Sequence, residues 1–123
     1  GEGSSPVKIA IDGSPSVGGV DGGARPMELV LMALGSCSAI DFISILKKQR
    51  QTISDFKIEV DGKRDGNAVP TPFTEIHVLF ILTGDIKKEK AERAAQLSIE
   101  KYCSVQAMLA PKVQITWAVQ LNA

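Results

Sequence analysis

The fold is decided by residues 25–42, which read RPMELVLMALGSCSAIDF. Pro26 suits the first turn of a helix because that position needs no backbone N–H, and Glu28 lies close enough to the start to complement the helix dipole. The basic stretch at residues 47–50 is typical of a helix C-terminus. The pattern therefore predicts one long helix from Pro26 to about Gln51.

The predicted helix is apolar on nearly all sides over its first two thirds. Such a helix has to be buried on most of its surface, yet a chain of 123 residues has little material with which to wrap it. We therefore expect a partner chain to cover part of it. A bilayer span needs about 20 apolar residues. The apolar run at residues 29–40 is shorter and more polar than that, which argues against a membrane helix.

The composition fits a single soluble domain over residues 1–123. Fourteen basic residues balance fourteen acidic ones. The chain therefore lacks the excess of positive charge that is typical of nucleic-acid binders and basic membrane-surface proteins. The first six residues lack the charged-then-apolar layout of a signal peptide. We therefore expect a cytoplasmic protein that binds neither nucleic acid nor membrane.

The rest of the chain alternates between strand and helix patterns without a repeat. Apolar residues at every second position predict strands at residues 6–12, 56–60, 73–83 and 113–119. The third of these strands is apolar on both faces and should be central in its sheet. Glycine-rich residues 13–23 predict a mobile loop. Helices are predicted at residues 87–102 and from Cys103 to just before Pro111. This order indicates an α+β fold.

The two cysteines, Cys37 and Cys103, stand 66 positions apart. That spacing excludes a metal site of the paired Cys-x-x-Cys type, and a zinc site would need both cysteines, the single histidine and a carboxylate. We therefore expect no metal and no other cofactor. Cys103 is predicted at the start of a short helix, where free amides favour a thiolate. A buried free cysteine also packs as a small hydrophobe, so the residues alone leave redox chemistry and inert packing both open.

Two further titratable residues lie on the predicted elements. Asp41 follows Cys37 by one helical turn, where its charge would raise the pKa of that thiol by repulsion. The same carboxylate could instead bond a neighbouring group or face solvent. His77 lies on a strand that is otherwise apolar on both faces, which favours a satisfied or partly exposed histidine over a catalytic base.

Two segments resemble the cysteine motifs of one superfamily. Residues 25–42 are similar to its first motif, and residues 100–109, which read EKYCSVQAML, are similar to its second. The superfamily contains the osmotically induced proteins (OsmC) and the organic hydroperoxide resistance proteins (Ohr). The resemblance covers essentially the whole chain, and the residues of the two motifs look like those of an uncharacterised OsmC-like subgroup.

The resemblance implies a fold and a chemistry. The fold is an intertwined homodimer, in which antiparallel sheets wrap paired central helices and two equivalent active sites lie at the subunit interface. Cys37 would attack an organic hydroperoxide and become a sulfenic acid. Cys103 would then resolve it as a disulfide, to be reduced by a small or protein-bound dithiol in oxidative stress defence. No metal or haem is required.

The chain departs from the family pattern around the activating groups. Studied members carry a glutamate beside the motif proline, which positions an activating arginine, whereas this chain has Met27 there and Glu28 one residue later. Arg25 precedes Cys37 by 12 residues, about 18 Å along a straight helix, so only the arginine of a second copy would reach. The resemblance also predicts that this chain begins inside the family's N-terminal region and lacks its first strand. Arg25, Glu28 and Asp41 are the candidate supporting residues.

These departures keep two other hypotheses open. In the first, an OsmC-like dimer binds a small apolar ligand or serves as a redox sensor without efficient peroxidase turnover. In the second, the chain is a structural interaction module whose buried cysteines are inert. The pKa of Cys37 and the proximity of the two sulfurs would separate these readings from a peroxidase.

Overall fold

The computed structural model describes residues 1–122. The helices and strands in chain order are α1 (Pro26–Lys48), β1 (Thr52–Arg64), β2 (Phe73–Asp85), α2 (Lys88–Leu97), α3 (Ser104–Leu109) and β3 (Gln114–Leu121). A 3₁₀ turn, Pro15–Val17, precedes α1, and a π-helical turn, Ser98–Tyr102 (the π turn), joins α2 to α3. The chain divides into two compact units, Gly1–Met32 and the part from Ala33 onwards. The predicted α+β class is confirmed, and so are the long helix and the two later helices.

The sheet of the second unit has the strand order β1-β2-β3, so β2 is central as the sequence predicts. Strands β1 and β2 form an antiparallel hairpin, also as predicted. Strand β3 runs parallel to β2, so the expectation of purely antiparallel pairing is wrong. The reason is the crossover through α2, the π turn and α3, which returns the chain to the end of the sheet where β2 began.

One face of β2 forms the core of this unit. Its buried side chains are Ile76, Val78, Phe80 and Leu82, each at most 1% exposed. Helix α1 packs on this face through Phe42, whose ring centroid lies 4.4 Å from that of Phe80 and 5.5 Å from that of Phe56. The buried face of β2, which follows the period-two pattern of its sequence, therefore packs against the apolar side of α1.

A glycine allows α1 to approach β1 closely. A Cβ atom built on Gly35 would lie 2.8 Å from Cγ2 of Val60, too short for a van der Waals contact. Val60 is β-branched and has little rotamer freedom with which to move away. The small residue ahead of Cys37 thus sets the distance between the helix and the sheet.

Gly35→Ala is expected to lower the free energy of unfolding by about 1 kcal/mol, because overpacking costs about 1–3 kcal/mol and the better helix propensity of alanine returns about 1 kcal/mol. In a Val60→Ala background the same change should be stabilising, since the obstructing methyl group is gone. Urea unfolding of the four proteins, followed by circular dichroism, measures both values. A destabilisation of equal size in both backgrounds would contradict the contact.

The predicted strand at residues 6–12 is wrong. The structure shows only isolated bridges there, Glu2 to Lys8 and Ile11 to Ala24. The alternating side chains Val7, Ile9 and Ile11 are 71%, 56% and 47% exposed. Apolar and polar residues do alternate at residues 6–12, but within residues 1–122 no neighbouring strand pairs with this segment, so no β-ladder forms there.

The glycine-rich loop is irregular as predicted, and one carboxylate ties it together. Asp12 accepts hydrogen bonds from the backbone N–H groups of Gly13, Val20 and Gly22 at 2.8, 2.9 and 3.0 Å. The bonds from Val20 and then Gly22 and Gly13 lower the pKa of Asp12, because each stabilises the ionised carboxylate. The ionised carboxylate of Asp12 therefore holds the loop together through these three hydrogen bonds.

Helix α1 combines high hydropathy with incomplete burial. An 18-residue window of it has a mean hydropathy of 2.1, and 28% of that window is buried within the chain. By length and composition it is the one helix in the described 122 residues that could cross a membrane, so the expectation that this segment is too short and too polar is wrong. The core helix of a soluble protein passes the same test. Its exposed apolar surface requires a cover that the single chain does not supply.

Candidate active site

The two cysteines are carried by different elements of the second unit. Cys37 lies in the middle of α1, directly before the fully buried Ser38. Cys103 follows the π turn and is the N-cap residue of α3. The π turn adds one residue to a helical turn and changes the direction of the chain, a device that is frequent beside functional sites.

The structure brings the two thiols together. The Cys37 side chain lies close enough to that of Cys103 to act on its pKa, and both are free cysteines. Cys103 is 3% exposed, whereas Cys37 is half-buried. Cys37 is therefore the sulfur that an incoming molecule can reach, and Cys103 lies behind it.

The surroundings of Cys103 act on its ionisation. Burial raises the pKa of the Cys103 thiol, because the thiolate would lose its hydration. Hydrogen bonds from the Gln106 backbone N–H, at 3.3 Å, and from the Ser38 hydroxyl, at 3.6 Å, oppose this by stabilising the thiolate. The nearby Cys37 side chain raises the pKa further. The net direction is upward, so the pKa of Cys103 lies above its ordinary value and the thiol form is favoured at neutral pH.

A contacting pair of thiols can be oxidised to a disulfide with little backbone movement. If Cys37 is first converted to a sulfenic acid, Cys103 is already placed to attack that sulfur and expel water. The donors around Cys103, from Ser38 and Gln106, would stabilise its thiolate during that attack. The arrangement therefore suits a two-electron oxidation of one sulfur followed by its resolution by the other.

Arg25 and Glu28 are engaged at the start of α1. The Arg25 backbone N–H donates to Glu28 Oε1 at 2.9 Å, which is one half of a capping box. The Arg25 guanidinium forms an ion pair with Asp21 at 2.6 Å. Within residues 1–122 no arginine, lysine or histidine side chain bonds either sulfur. A role of Arg25 and Glu28 in activating Cys37 stays a prediction.

The remaining candidates lie elsewhere. Asp41 lines a cavity beside the second half of α1. His77 is exposed on β2, and its Nδ1 lies 2.7 Å from the Thr116 hydroxyl on β3, so it is a satisfied strand histidine as predicted. In the described part of the chain, no three His, Cys, Asp or Glu side chains are grouped as a metal site would need.

Two residues of the site were not singled out from the sequence. Ser38 is polar and 0% exposed, and its hydroxyl donates to Cys103. Gln106 supplies the backbone N–H three positions after the N-cap, where capping groups regularly find their donor. The cap rule could have located Gln106 once Cys103 was placed at the start of α3. Ser38 required knowledge of which helix face is buried.

A protein-family model matches most of this chain. The family model described as "OsmC-like protein" matches residues 19–118, which include both thiols and all of the sheet except the end of β3. This chain belongs to the OsmC-like family. The resemblance recognised from the two cysteine motifs is thereby confirmed.

The similar proteins include one with an assigned name and two solved structures. Protein YhfA of Escherichia coli is 44% identical over 124 residues, covering 100% of this chain and 89% of its own length. The structure of a hypothetical protein from Aquifex aeolicus is 40% identical, has a TM-score of 0.75 and covers 88% of this chain and 85% of that chain. The structure of an organic hydroperoxide resistance protein OsmC from Legionella pneumophila has a TM-score of 0.72 at 16% identity, covers 94% of this chain and 82% of that chain, and shares the OsmC-like fold.

Ser38→Ala is expected to slow the alkylation of Cys103 by iodoacetamide about fivefold near pH 8, the effect of one hydrogen bond of about 1 kcal/mol. The Ser38 hydroxyl bond holds the pKa of Cys103 down, so its loss raises that pKa further and lowers the thiolate fraction. The measurement uses a Cys37→Ser background, so that only one thiol reacts. Ser36→Ala, whose hydroxyl bonds the backbone oxygen of Ala33, is the matched control. Equal alkylation rates in both variants would show that the Ser38 hydroxyl does not affect the reactivity of Cys103.

Proposed function

We propose that this OsmC-like protein is a thiol-dependent peroxidase that reduces organic hydroperoxides to alcohols. The observation that carries the proposal is the pair of contacting thiols, one half-buried and one fully buried, in a single chain. Family membership supports a redox role at the family level. The solved structure from Legionella pneumophila that shares this fold is named an organic hydroperoxide resistance protein, which supports the proposal.

The reaction has three steps. The Cys37 thiolate attacks the distal peroxide oxygen, the O–O bond breaks, and the alkoxide leaves as an alcohol after taking a proton, leaving Cys37 as a sulfenic acid. The Cys103 sulfur then attacks Cys37, loses its proton and releases water as the disulfide forms. A dithiol reductant reduces that disulfide and is itself oxidised. The sum consumes one hydroperoxide and two thiols and yields one alcohol, one water and one disulfide.

The apolar surface of α1 supports a homodimer. Ile40 is 72% exposed on a helix with a mean hydropathy of 2.1 over an 18-residue window, and a second copy of the same helix would cover it. Together with the balanced charge, this favours a soluble, cytoplasmic dimer over a membrane-spanning chain. Sedimentation velocity of the native protein and of Ile40→Glu tests it, since the charged side chain should shift the mass towards the monomer. A native protein that sediments as a monomer at tens of micromolar would contradict the dimer.

The peroxidase is tested by counting thiols after adding one equivalent of cumene hydroperoxide. We expect two thiols to disappear within seconds, the mass to fall by two hydrogens, and cumyl alcohol to appear in equal amount. An intact reduced protein incubated without peroxide is the control. If both thiols survive minutes of exposure in folded protein, the peroxidase proposal is wrong.

A redox sensor without efficient turnover is the second candidate. It is favoured by one observation, that no basic side chain within residues 1–122 bonds Cys37 to activate it. A sensor would form the same disulfide once but would not sustain turnover with a dithiol such as dithiothreitol. Steady-state consumption of peroxide therefore separates the two functions.

A further inference from the structure

The dipeptide Asp-Gly occurs four times in this chain, beginning at Asp12, Asp21, Asp61 and Asp65. A glycine after an aspartate has no Cβ atom and rotates freely, so its backbone nitrogen can attack the carbon of the aspartate carboxyl group. In a folded protein the attack requires that neither group is held elsewhere and that the backbone can bend to bring them together. The surroundings of the four dipeptides therefore decide which of them reacts.

The two dipeptides of the first unit have their reacting groups engaged. The Asp12 carboxylate accepts three backbone hydrogen bonds, and these bonds, led by the one from Val20, lower the pKa of Asp12. The neutral carboxyl group, which loses water most readily, is therefore scarce at Asp12. At the second dipeptide, the Gly22 nitrogen donates to Asp12, and the Asp21 carboxylate forms the ion pair with Arg25. Both sites are thus protected by hydrogen bonds.

The third dipeptide lies inside a paired strand. Asp61 and Gly62 belong to β1 and stand opposite His77 and Ile76 of β2. The attack needs the backbone after the aspartate to turn its nitrogen towards the side chain, which the extended conformation of a strand does not allow. The hairpin would have to open locally before Asp61 could react.

The fourth dipeptide lies in the loop between β1 and β2, where both groups are accessible. Gly66 is exposed, and among the described residues its N–H donates no hydrogen bond. A Cβ atom built on Gly66 would meet nothing within 4 Å. The Asp65 carboxylate accepts a hydrogen bond from the Asn67 N–H at 3.1 Å, which closes a turn across Gly66 and keeps the carboxyl group beside the Gly66 nitrogen.

We propose that Asp65 is a site of spontaneous isoaspartate formation in the folded protein, and that the fold protects the other three Asp-Gly dipeptides. The modified residue carries one additional methylene group in its backbone and a free α-carboxylate. It is therefore a substrate for the class of methyltransferase that esterifies isoaspartyl carboxylates. The inference is independent of the proposed peroxidase, since it involves neither thiol.

The reaction is a rearrangement that needs no oxidant or other co-reactant than water. The Gly66 nitrogen loses its proton and bonds to the side-chain carboxyl carbon of Asp65, and one water leaves as a five-membered imide forms. Water then adds to one of the two imide carbonyls. Opening at the side-chain carbonyl restores aspartate, whereas opening at the backbone carbonyl leaves Gly66 linked through the side chain and frees the α-carboxylate. The mass of the chain is unchanged.

The test compares aged samples of the native protein, Asp65→Glu, Gly66→Ala and the matched control Asp61→Glu. Each is kept at neutral pH and physiological temperature, either folded in buffer or unfolded in guanidinium chloride. An isoaspartate-specific methyltransferase with a labelled methyl donor counts the modified residues in the intact chain. Circular dichroism confirms that the variants in buffer are folded.

The modified residue is then located by cleavage after lysine and electron-transfer fragmentation. Lys63 lies between the third and fourth dipeptides, so residues 58–63 and 64–87 are recovered as separate peptides. The first two dipeptides are recovered together in residues 9–47 and are distinguished by their fragment ions.

Folded native protein is expected to accumulate isoaspartate at Asp65 about tenfold or more faster than at each of the other three sites, because those sites must first open locally. Asp65→Glu should remove this product, since the longer side chain would have to close a six-membered ring. Gly66→Ala should slow it several-fold, because the added methyl group shields the nitrogen and has room to fit. Asp61→Glu should age as the native chain does. In guanidinium chloride the four sites should react at similar rates.

Three results would overturn the inference. Methyl incorporation in folded Asp65→Glu equal to that of the native chain would exclude Asp65 as the site. Equal accumulation at Asp61 and Asp65 in the folded chain would show that strand pairing gives no protection. The same excess at Asp65 in guanidinium chloride as in buffer would mean that the neighbouring sequence, and not the fold, selects this residue.

Discussion

Cys37→Ser is expected to lose organic hydroperoxide turnover by about a thousandfold or more, as enzymes do when their nucleophile is removed. The remaining Cys103 is 3% exposed, and burial raises its pKa, so it is both inaccessible and protonated at neutral pH. The measurement is the initial rate of cumene hydroperoxide consumption with dithiothreitol in excess, compared with the native protein. Circular dichroism confirms that the variant is folded.

The matched control for this result is Cys103→Ser. It keeps the accessible sulfur and should consume one equivalent of peroxide at a rate near that of the native protein, after which a Cys37 sulfenic acid accumulates and can be trapped with dimedone. The reverse outcome, with turnover retained in Cys37→Ser and the first reaction lost in Cys103→Ser, would exchange the roles of the two sulfurs.

Phe42→Ala is expected to lower the free energy of unfolding by about 3–5 kcal/mol, the usual effect of deleting a buried aromatic ring. Phe42 is 0% exposed and stacks on both Phe56 and Phe80, so the variant loses contacts with α1's two supporting strands at once. The midpoint of urea unfolding, followed by circular dichroism at several protein concentrations, measures the change.

Met108→Ala serves as the comparison for that experiment, because the Met108 side chain is 86% exposed. Its unfolding midpoint should lie close to that of the native chain. A Phe42→Ala protein within about 1 kcal/mol of native stability would mean that α1 is not anchored on the sheet by this ring.

Features set by neighbouring residues were predictable from the sequence. The start of α1 at Pro26, the buried face of β2 and the short helix after Cys103 all follow from local periodicity and capping. The role of Glu28 in the cap was within reach too, because the capping-box spacing from Arg25 is local.

Features that depend on distant parts of the chain were not predictable. The alternation at residues 6–12 looks the same whether or not a partner strand exists, and here only isolated bridges form. The parallel direction of β3 depends on the crossover that precedes it. The proximity of Cys37 and Cys103, 66 positions apart, came from family resemblance, because spacing alone does not reveal which residues meet across a fold.

The contact of Cys37 and Cys103 within one chain has a genetic consequence. Each polypeptide carries its own complete pair of sulfurs, so two differently inactivated alleles, Cys37→Ser and Cys103→Ser, would not complement each other in one cell. An inactive copy would also leave the sulfurs of a native partner intact. Loss-of-function alleles of this protein should therefore not be dominant over a native allele.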